Sequence, residues 1–110
     1  MKEEFRRLPG LPNYGVSNLG RVVSLKIRHN YWKPLKHGVD PWRGDHRVSL
    51  HVRGRPIKKP VGGLVLWAFG FNPEPPDGMR PWPGHKDGDR DNLALENLFW
   101  EYIPATKAES

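Results

Sequence analysis

The chain has 110 residues, with 18 Lys and Arg against 12 Asp and Glu, a formal net charge of +6 and no cysteine. That length suits one domain with a modest core, and the basic surplus favours a polyanionic partner, nucleic acid first. The lack of cysteine excludes disulfide frameworks and cysteine-ligated zinc fingers together.

Gly and Pro number 12 each, which predicts many turns and short elements. Residues 3–26 read as short strands separated by turns, with Pro9-Gly10 and Pro12-Asn13 as turn dipeptides and Asn18 and Gly20 flanking another. Within this stretch RVVSLKI, residues 21–27, has the β-branched content of a strand. Residues 28–45 are polar, aromatic and turn-rich, and predict a loop with at most one short strand. Residues 46–53 alternate: Val48, Leu50 and Val52 point one way, Arg47, Ser49, His51 and Arg53 the other. Arg53-Gly54 then turns the chain into residues 55–61, which gives a hairpin with a basic outer face. Any one of these charges reads as part of a solvated strand face. Arg47, Arg53, Arg55, Lys58 and Lys59 on two adjacent strands favour a DNA-facing ribbon.

Residues 62–70, GGLVLWAFG, predict a short buried helix with Trp67 in the core, although the length also allows a buried strand. Residues 71–83 form a proline-rich connection, read as a rigid loop and not a domain linker. The longest apolar run, residues 64–69, is too short to span a bilayer, and the N-terminus has no signal-peptide core. The expectation is a cytoplasmic protein with no membrane partner.

Residues 84–100, GHKDGDRDNLALENLFW, concentrate the chemistry. A neutral imidazole at His85 can take a proton from water near neutral pH. Phosphodiester hydrolysis needs such a base, and a cation to stabilise the developing charge. Hard cations take oxygen ligands, which the Asp, Asn and Glu residues here supply in number. By composition alone, a turn-rich loop whose Asp and Asn side chains bond nearby backbone is the simpler reading. An EF-hand does not fit: Gly88 is misplaced, and the sixth-position Gly and twelfth-position Glu are missing.

The spacing changes the balance. His85, Asn92 and Asn97 lie seven and five residues apart, and Asn97 is followed by Leu98-Phe99-Trp100. This resembles the His-Asn-Asn motif of HNH homing endonucleases of the phage and intron type. Residues 8–26 resemble the small nuclease-associated module that often precedes such a site, through Tyr14, Val16, Ser17, Asn18, Gly20, Arg21, Val22 and Ser24. Residues 46–75 follow the same family's order of strand, turn, strand, short helix and Asn-Pro, so the resemblance covers roughly residues 3–103.

The resemblance implies an α+β fold of small antiparallel hairpins with a short central helix. A C-terminal ββα-metal motif with a truncated last helix completes it. One domain, residues 1–110, would comprise a β-rich DNA-binding module (3–61) and an HNH-like region (62–110). The implied activity is metal-dependent cutting or nicking of double-stranded DNA, with Mg²⁺ or Mn²⁺ as cofactor and no zinc–cysteine site. His85 would be the general base, and Asn92 and Asn97 would hold loop and strand so that His85 faces the scissile phosphate. Leu98 and Trp100 would pack under the hairpin. Arg21, Lys26, Arg47, Arg53, Arg55 and Lys58 are the candidate phosphate contacts. If the gene is phage-borne, the compartment would be the host cytoplasm.

The chain departs from the family pattern at three places. Gly84 stands where Asp or Asn usually precedes the histidine, and the Asp there serves as a metal ligand. Thr106 stands where the last helix usually carries a second ligand, an asparagine. Gly62 and Gly63 replace His-Arg on the short helix. The metal ligands are therefore unassigned, with Glu101, Glu109, Asp89 and Asp91 as oxygen donors among which the sequence does not choose. A second reading keeps the fold with a degenerate site that binds DNA or modulates a protein partner, including one that completes the site in trans. A third, an RNA-associated protein, suits the size and charge but explains neither motif.

Overall fold

Turn residues recur through the first third of the chain before a helix can nucleate, so it folds as a meander. The computed structural model describes residues 2–105. Strands β1 (Phe5–Leu8), β2 (Leu11–Ser17), β3 (Val22–Lys26) and β4 (Tyr31–Pro34) form one antiparallel sheet in that order. The register Val16↔Val22 aims both valines inward with Leu8. β5 (Gly38–Val39), β6 (His46–Val52) and β7 (Arg55–Pro60) form a second sheet. Helix α1 (Val61–Ala68) comes next, then a two-stranded sheet of β8 (Met79–His85) and β9 (Leu98–Pro104). The architecture is α+β, with one short helix packed against strands of all three sheets.

Most sequence-based expectations for the elements hold. Val48 and Leu50 are buried along β6 while Ser49 and His51 are exposed. Arg53 and Gly54 both have positive φ (53° and 78°), as a two-residue hairpin turn with the right-handed strand twist requires. Residues 61–68 are helical and, apart from Trp67, buried. The helix stops in a Schellman pattern: Gly70 N–H donates to Trp67 O and Phe71 N–H to Leu66 O.

Three stretches differ. Pro12-Asn13, read as a turn, lies inside β2. Residues 28–45 hold two short strands, β4 and β5. All four residues of β4 are exposed, so no alternation betrays it. The proline-rich connection ends earlier than expected, since residues 79–83 belong to β8. Pro81 and Pro83 are tolerated because strand N–H groups alternate in direction. Prolines two apart lose donors on the same side, and the free edge of a two-stranded sheet can spare them.

Glycines let these elements approach. A Cβ on Gly62 would lie 2.9 Å from Pro83 Cβ, and one on Gly63 would lie 3.3 Å from Trp100 Cη2. The Gly pair in α1 thus brings the helix backbone against the β8–β9 sheet, where Leu98 is buried and Trp100 packs on the core. The N-terminal motif touches the same region. Ser17 Oγ accepts from the N–H groups of Leu19 and Arg21, which shapes the turn after β2. Leu95 N–H donates to Asn18 O at 2.7 Å. Gly20, at φ 92°, leaves room for Leu93, whose Cβ would sit 2.4 Å from an added Cβ. Residues 3–61 and 62–105 therefore share one core and one set of tethers.

Gly20→Ala combines left-handed strain with a clash against Leu93. It should cost about 2–4 kcal/mol of stability, read from chemical denaturation. A loss below about 0.5 kcal/mol would mean that this contact does not hold the two segments together.

Candidate active site

His85 ends β8, and the chain must cross from there to β9. Lys86 N–H donates to Asn97 O, and Gly88 N–H to His85 O, so the crossing starts as a tight turn. The Asp87 carboxylate organises the rest of the crossing. Its Oδ1 accepts from Asn97 Nδ2 (2.9 Å) and Asp89 N–H (2.8 Å), and its Oδ2 from Asn92 Nδ2 (2.8 Å). Asp87 N–H returns to Asn97 Oδ1 (3.1 Å), and Asn97 Nδ2 also reaches Asn92 O (3.0 Å). These bonds favour the ionised carboxyl, so the pKa of Asp87 falls below 3.8, with Asn92 as the largest cause. Further short loops run from Asp89 Oδ1 to Asp91 N–H and from Asn92 Oδ1 to Ala94 N–H. The oxygen-rich composition thus serves the loop's own backbone to a large extent. Asn92 and Asn97, both picked from spacing, meet on Asp87.

The loop is also tied to distant segments. Asp45 is 2 % exposed, and a carboxylate so deeply placed needs partners. It accepts from Arg90 Nη1 at 2.6 Å and from Trp82 Nε1 at 3.2 Å. Beside it, His46 Nε2 lies 2.7 Å from Asp91 Oδ1. No spacing signal marks Asp45, His46 or Arg90 in the sequence, because both tethers join residues 45 positions apart.

His85 is half-buried opposite Leu98, and its Nε2 is shielded from solvent with no hydrogen-bond partner among the described residues. Burial pushes its pKa below the ordinary 6.5. Asp45 opposes that shift, Arg90 reinforces it, and Asp87 and Asp89 oppose it more weakly. The imidazole is consequently neutral at pH 7, the form that can accept a proton.

Gly84 is not in the left-handed region, so its backbone would admit another residue. A side chain there would have to displace two exposed neighbours. A Cβ there would meet Phe99 Cζ at 2.5 Å and Glu101 Cγ at 2.7 Å. Phe99 is the cross-strand partner of Gly84, and Glu101 lies two residues further along the same face of β9. The space of a side chain at 84 is thus filled from the opposite strand. Glu101 is exposed and makes no hydrogen bond or ion pair with the described residues. No group of three or more His, Asp or Glu is placed to hold a metal ion among the described residues. Thr106 and Glu109, and the truncated last helix expected to follow β9, lie outside them.

The predicted basic ribbon is split by its register. Arg47 pairs with Pro60 and Ser49 with Lys58, which puts Arg47 and Lys58 on the outer face. Arg55 pairs with Val52 and Lys59 with Val48, so these two share the core-side face at its exposed margin. Arg53 sits in the turn. Arg21 precedes β3 and pairs with Glu3 at 3.4 Å, and Lys26 ends β3. A basic cluster that the sequence did not reveal surrounds Trp82, with the guanidinium carbons of Arg43, Arg80 and Arg47 at 5.0, 5.5 and 5.9 Å from the ring centre. No described helix is long and apolar enough to cross a membrane.

No family model matches the chain. Individual proteins do. An uncharacterised HNH endonuclease of Acanthamoeba polyphaga mimivirus is 31 % identical over 103 residues, spanning 91 % of this chain and 23 % of that protein. The DNA endonuclease I-HmuI of Bacillus phage SP01 is 38 % identical over 88 residues, spanning 80 % of this chain and 45 % of the relative. The solved structure of I-HmuI, described as DNA binding and cleavage by an HNH homing endonuclease, superposes with a TM-score of 0.69 and 33 % identity. It covers 89 % of this chain and 52 % of that one. The chain spans less than half the length of the curated relatives it matches. Sequence and fold agree, and the chain belongs to the HNH homing endonuclease family.

Proposed function

We propose that this chain is a metal-dependent HNH endonuclease that cuts or nicks duplex DNA with His85 as general base. The observation that carries the reading is His85 itself: a neutral imidazole at a strand end, beside a loop fixed by Asp87, Asn92 and Asn97. The relatives, a DNA endonuclease and an HNH homing endonuclease that binds and cleaves DNA, support it at the level of activity. Residues 1–110 act as one unit in this reading, with the β-rich segment carrying DNA and the C-terminal hairpin carrying the chemistry.

His85 takes the proton at Nδ1, the ring nitrogen that is not shielded, from a water molecule as that water attacks the scissile phosphorus. Asn92 and Asn97 bind no substrate here; through Asp87 they hold the turn after His85. The side chain fit for Mg²⁺ or Mn²⁺ is Glu101, the uncommitted carboxylate beside the filled position 84. One carboxylate with substrate phosphate and water is an ordinary Mg²⁺ arrangement. Held there, a cation would supply stabilisation of the charge that develops on the leaving oxygen. Lys58 on the outer face of β6–β7 leads the phosphate contacts, with Arg21, Lys26, Arg53, Arg55 and Arg47, whose guanidinium already pairs with Asp40, as further candidates.

Plasmid nicking tests the reading. The wild type should nick supercoiled DNA with Mg²⁺ or Mn²⁺, and folded His85→Ala should lose ~10²–10⁴-fold in rate. The rate should fall as pH drops, with its acid limb below 6.5, because burial holds the His85 pKa down and protonation removes the base. An unchanged rate in His85→Ala, or a limb above 6.5, contradicts the assignment.

The metal and the DNA backbone are tested by one substitution each. Glu101→Gln should raise the half-saturating Mg²⁺ concentration by about tenfold while leaving DNA affinity unchanged, since it removes the one charged protein ligand. Lys58→Gln should reduce the slope of log affinity against log salt by about 0.9, the share of one phosphate contact. Equal metal dependence, or an unchanged slope, would remove that residue from its role.

A further inference from the structure

One cluster of titratable groups is left unused by the chemistry at His85. His37 precedes β5 and His46 opens β6, and their Nδ1 atoms lie 3.2 Å apart. The rings meet edge to face, with centres 5.4 Å apart and planes at 90°. Two facing ring nitrogens cannot both carry protons. One must donate to the other, or both must turn lone pairs toward a cation.

Two features favour the cation. Two nitrogens bound tetrahedrally to one Zn²⁺ at ~2.0–2.1 Å stand roughly 3.3–3.4 Å apart. The observed separation is within a few tenths of an ångström of that bite. The far nitrogen of His46 faces the Asp91 carboxylate at 2.7 Å, so Nε2–H can donate there and leave the Nδ1 lone pair free. A metal-bound histidine commonly gives its other N–H to a carboxylate in this way, which fixes the tautomer and raises its basicity.

We propose that His37 and His46 form a two-imidazole site for a borderline transition-metal cation, Zn²⁺ foremost, with Asp91 as its outer carboxylate. Imidazole nitrogens select such ions over Mg²⁺, so the site is chemically separate from the oxygen-based one at Glu101. Among the described residues no third imidazole or carboxylate completes a ligand set, so water fills the other positions and the ion exchanges. Asp91 belongs to the loop after His85, so occupancy also ties that loop to β6.

Calorimetric titration of Zn²⁺ into the metal-free protein near neutral pH, with excess Mg²⁺ present, tests the site. The expected result is one equivalent bound. His37→Gln and His46→Gln should each lose at least about a hundredfold in affinity, and Asp91→Asn about 10–100-fold, the usual effect of removing an outer partner. His29→Gln and His51→Gln, at exposed positions, should bind as the wild type does. Side-chain ¹⁵N spectra of the wild type keep the test decisive if a variant misfolds: Zn²⁺ should shift the ring nitrogens of these two histidines and of no other. No binding up to millimolar Zn²⁺ means that the pair is a hydrogen bond only. Binding that survives both histidine changes, or shifts confined to other rings, places the ion elsewhere. Either result overturns the proposal, and neither bears on nicking by His85.

Discussion

The candidate active-site region depends on a single carboxylate. Asp87 gathers the side-chain amides of Asn92 and Asn97 and the N–H of Asp89, and its own N–H closes the ring through Asn97 Oδ1. A loop of this length between two strands has many conformations, and polar residues alone would not choose one. Three donors converging on one charged acceptor do choose, because each bond is charge-assisted and each excludes the alternatives. The network also makes stability depend on pH. The folded-state pKa of Asp87 is depressed, so its contribution is present at pH values above 3.8 and is lost as pH falls through the lower folded value.

Close backbone approach is the second requirement, and it explains residues that looked like losses. Gly62 and Gly63 remove two side chains from α1, yet they are what allows the helix to lie against Pro83, Leu98 and Trp100. Gly20 does the same for Leu93 at the tip of the N-terminal motif. Asn18 adds a backbone bond to Leu95 and, through Oδ1, accepts the N–H of Glu4. The N-terminal motif is therefore part of the scaffold of the loop after His85, whatever it also does toward DNA.

Much of this was legible in the sequence. The alternation in residues 46–52, the Arg53-Gly54 turn and the apolar run of α1 each carry a local period or turn signal, and each element appears where that signal put it. The spacing of His85, Asn92 and Asn97 likewise marked residues that the fold brings to one loop. The rest had no local signal. β4 is an edge strand exposed along its whole length, and β8 carries two prolines that argue against a strand unless its free edge is known. Asp45, Arg90 and His46 act through contacts that join sequence-distant segments. Gly84 was legible as a departure but not in its consequence, because the crowding comes from Phe99 and Glu101 on the opposite strand.

If the Asp87 network holds a neutral His85 for attack on DNA, Asn97 is the amide whose loss should matter more, since it makes three of these bonds, including both that return to Asp87, and Asn92 donates only one to that carboxylate. The direct measurement is the single-turnover nicking rate and DNA affinity of Asn97→Ala beside the wild type, with melts to show that the variant is folded. DNA affinity should stay within about twofold while the rate falls by roughly 10²-fold, because a small misplacement of the base is costly. A folded Asn97→Ala protein that nicks at the wild-type rate would contradict this role for the network.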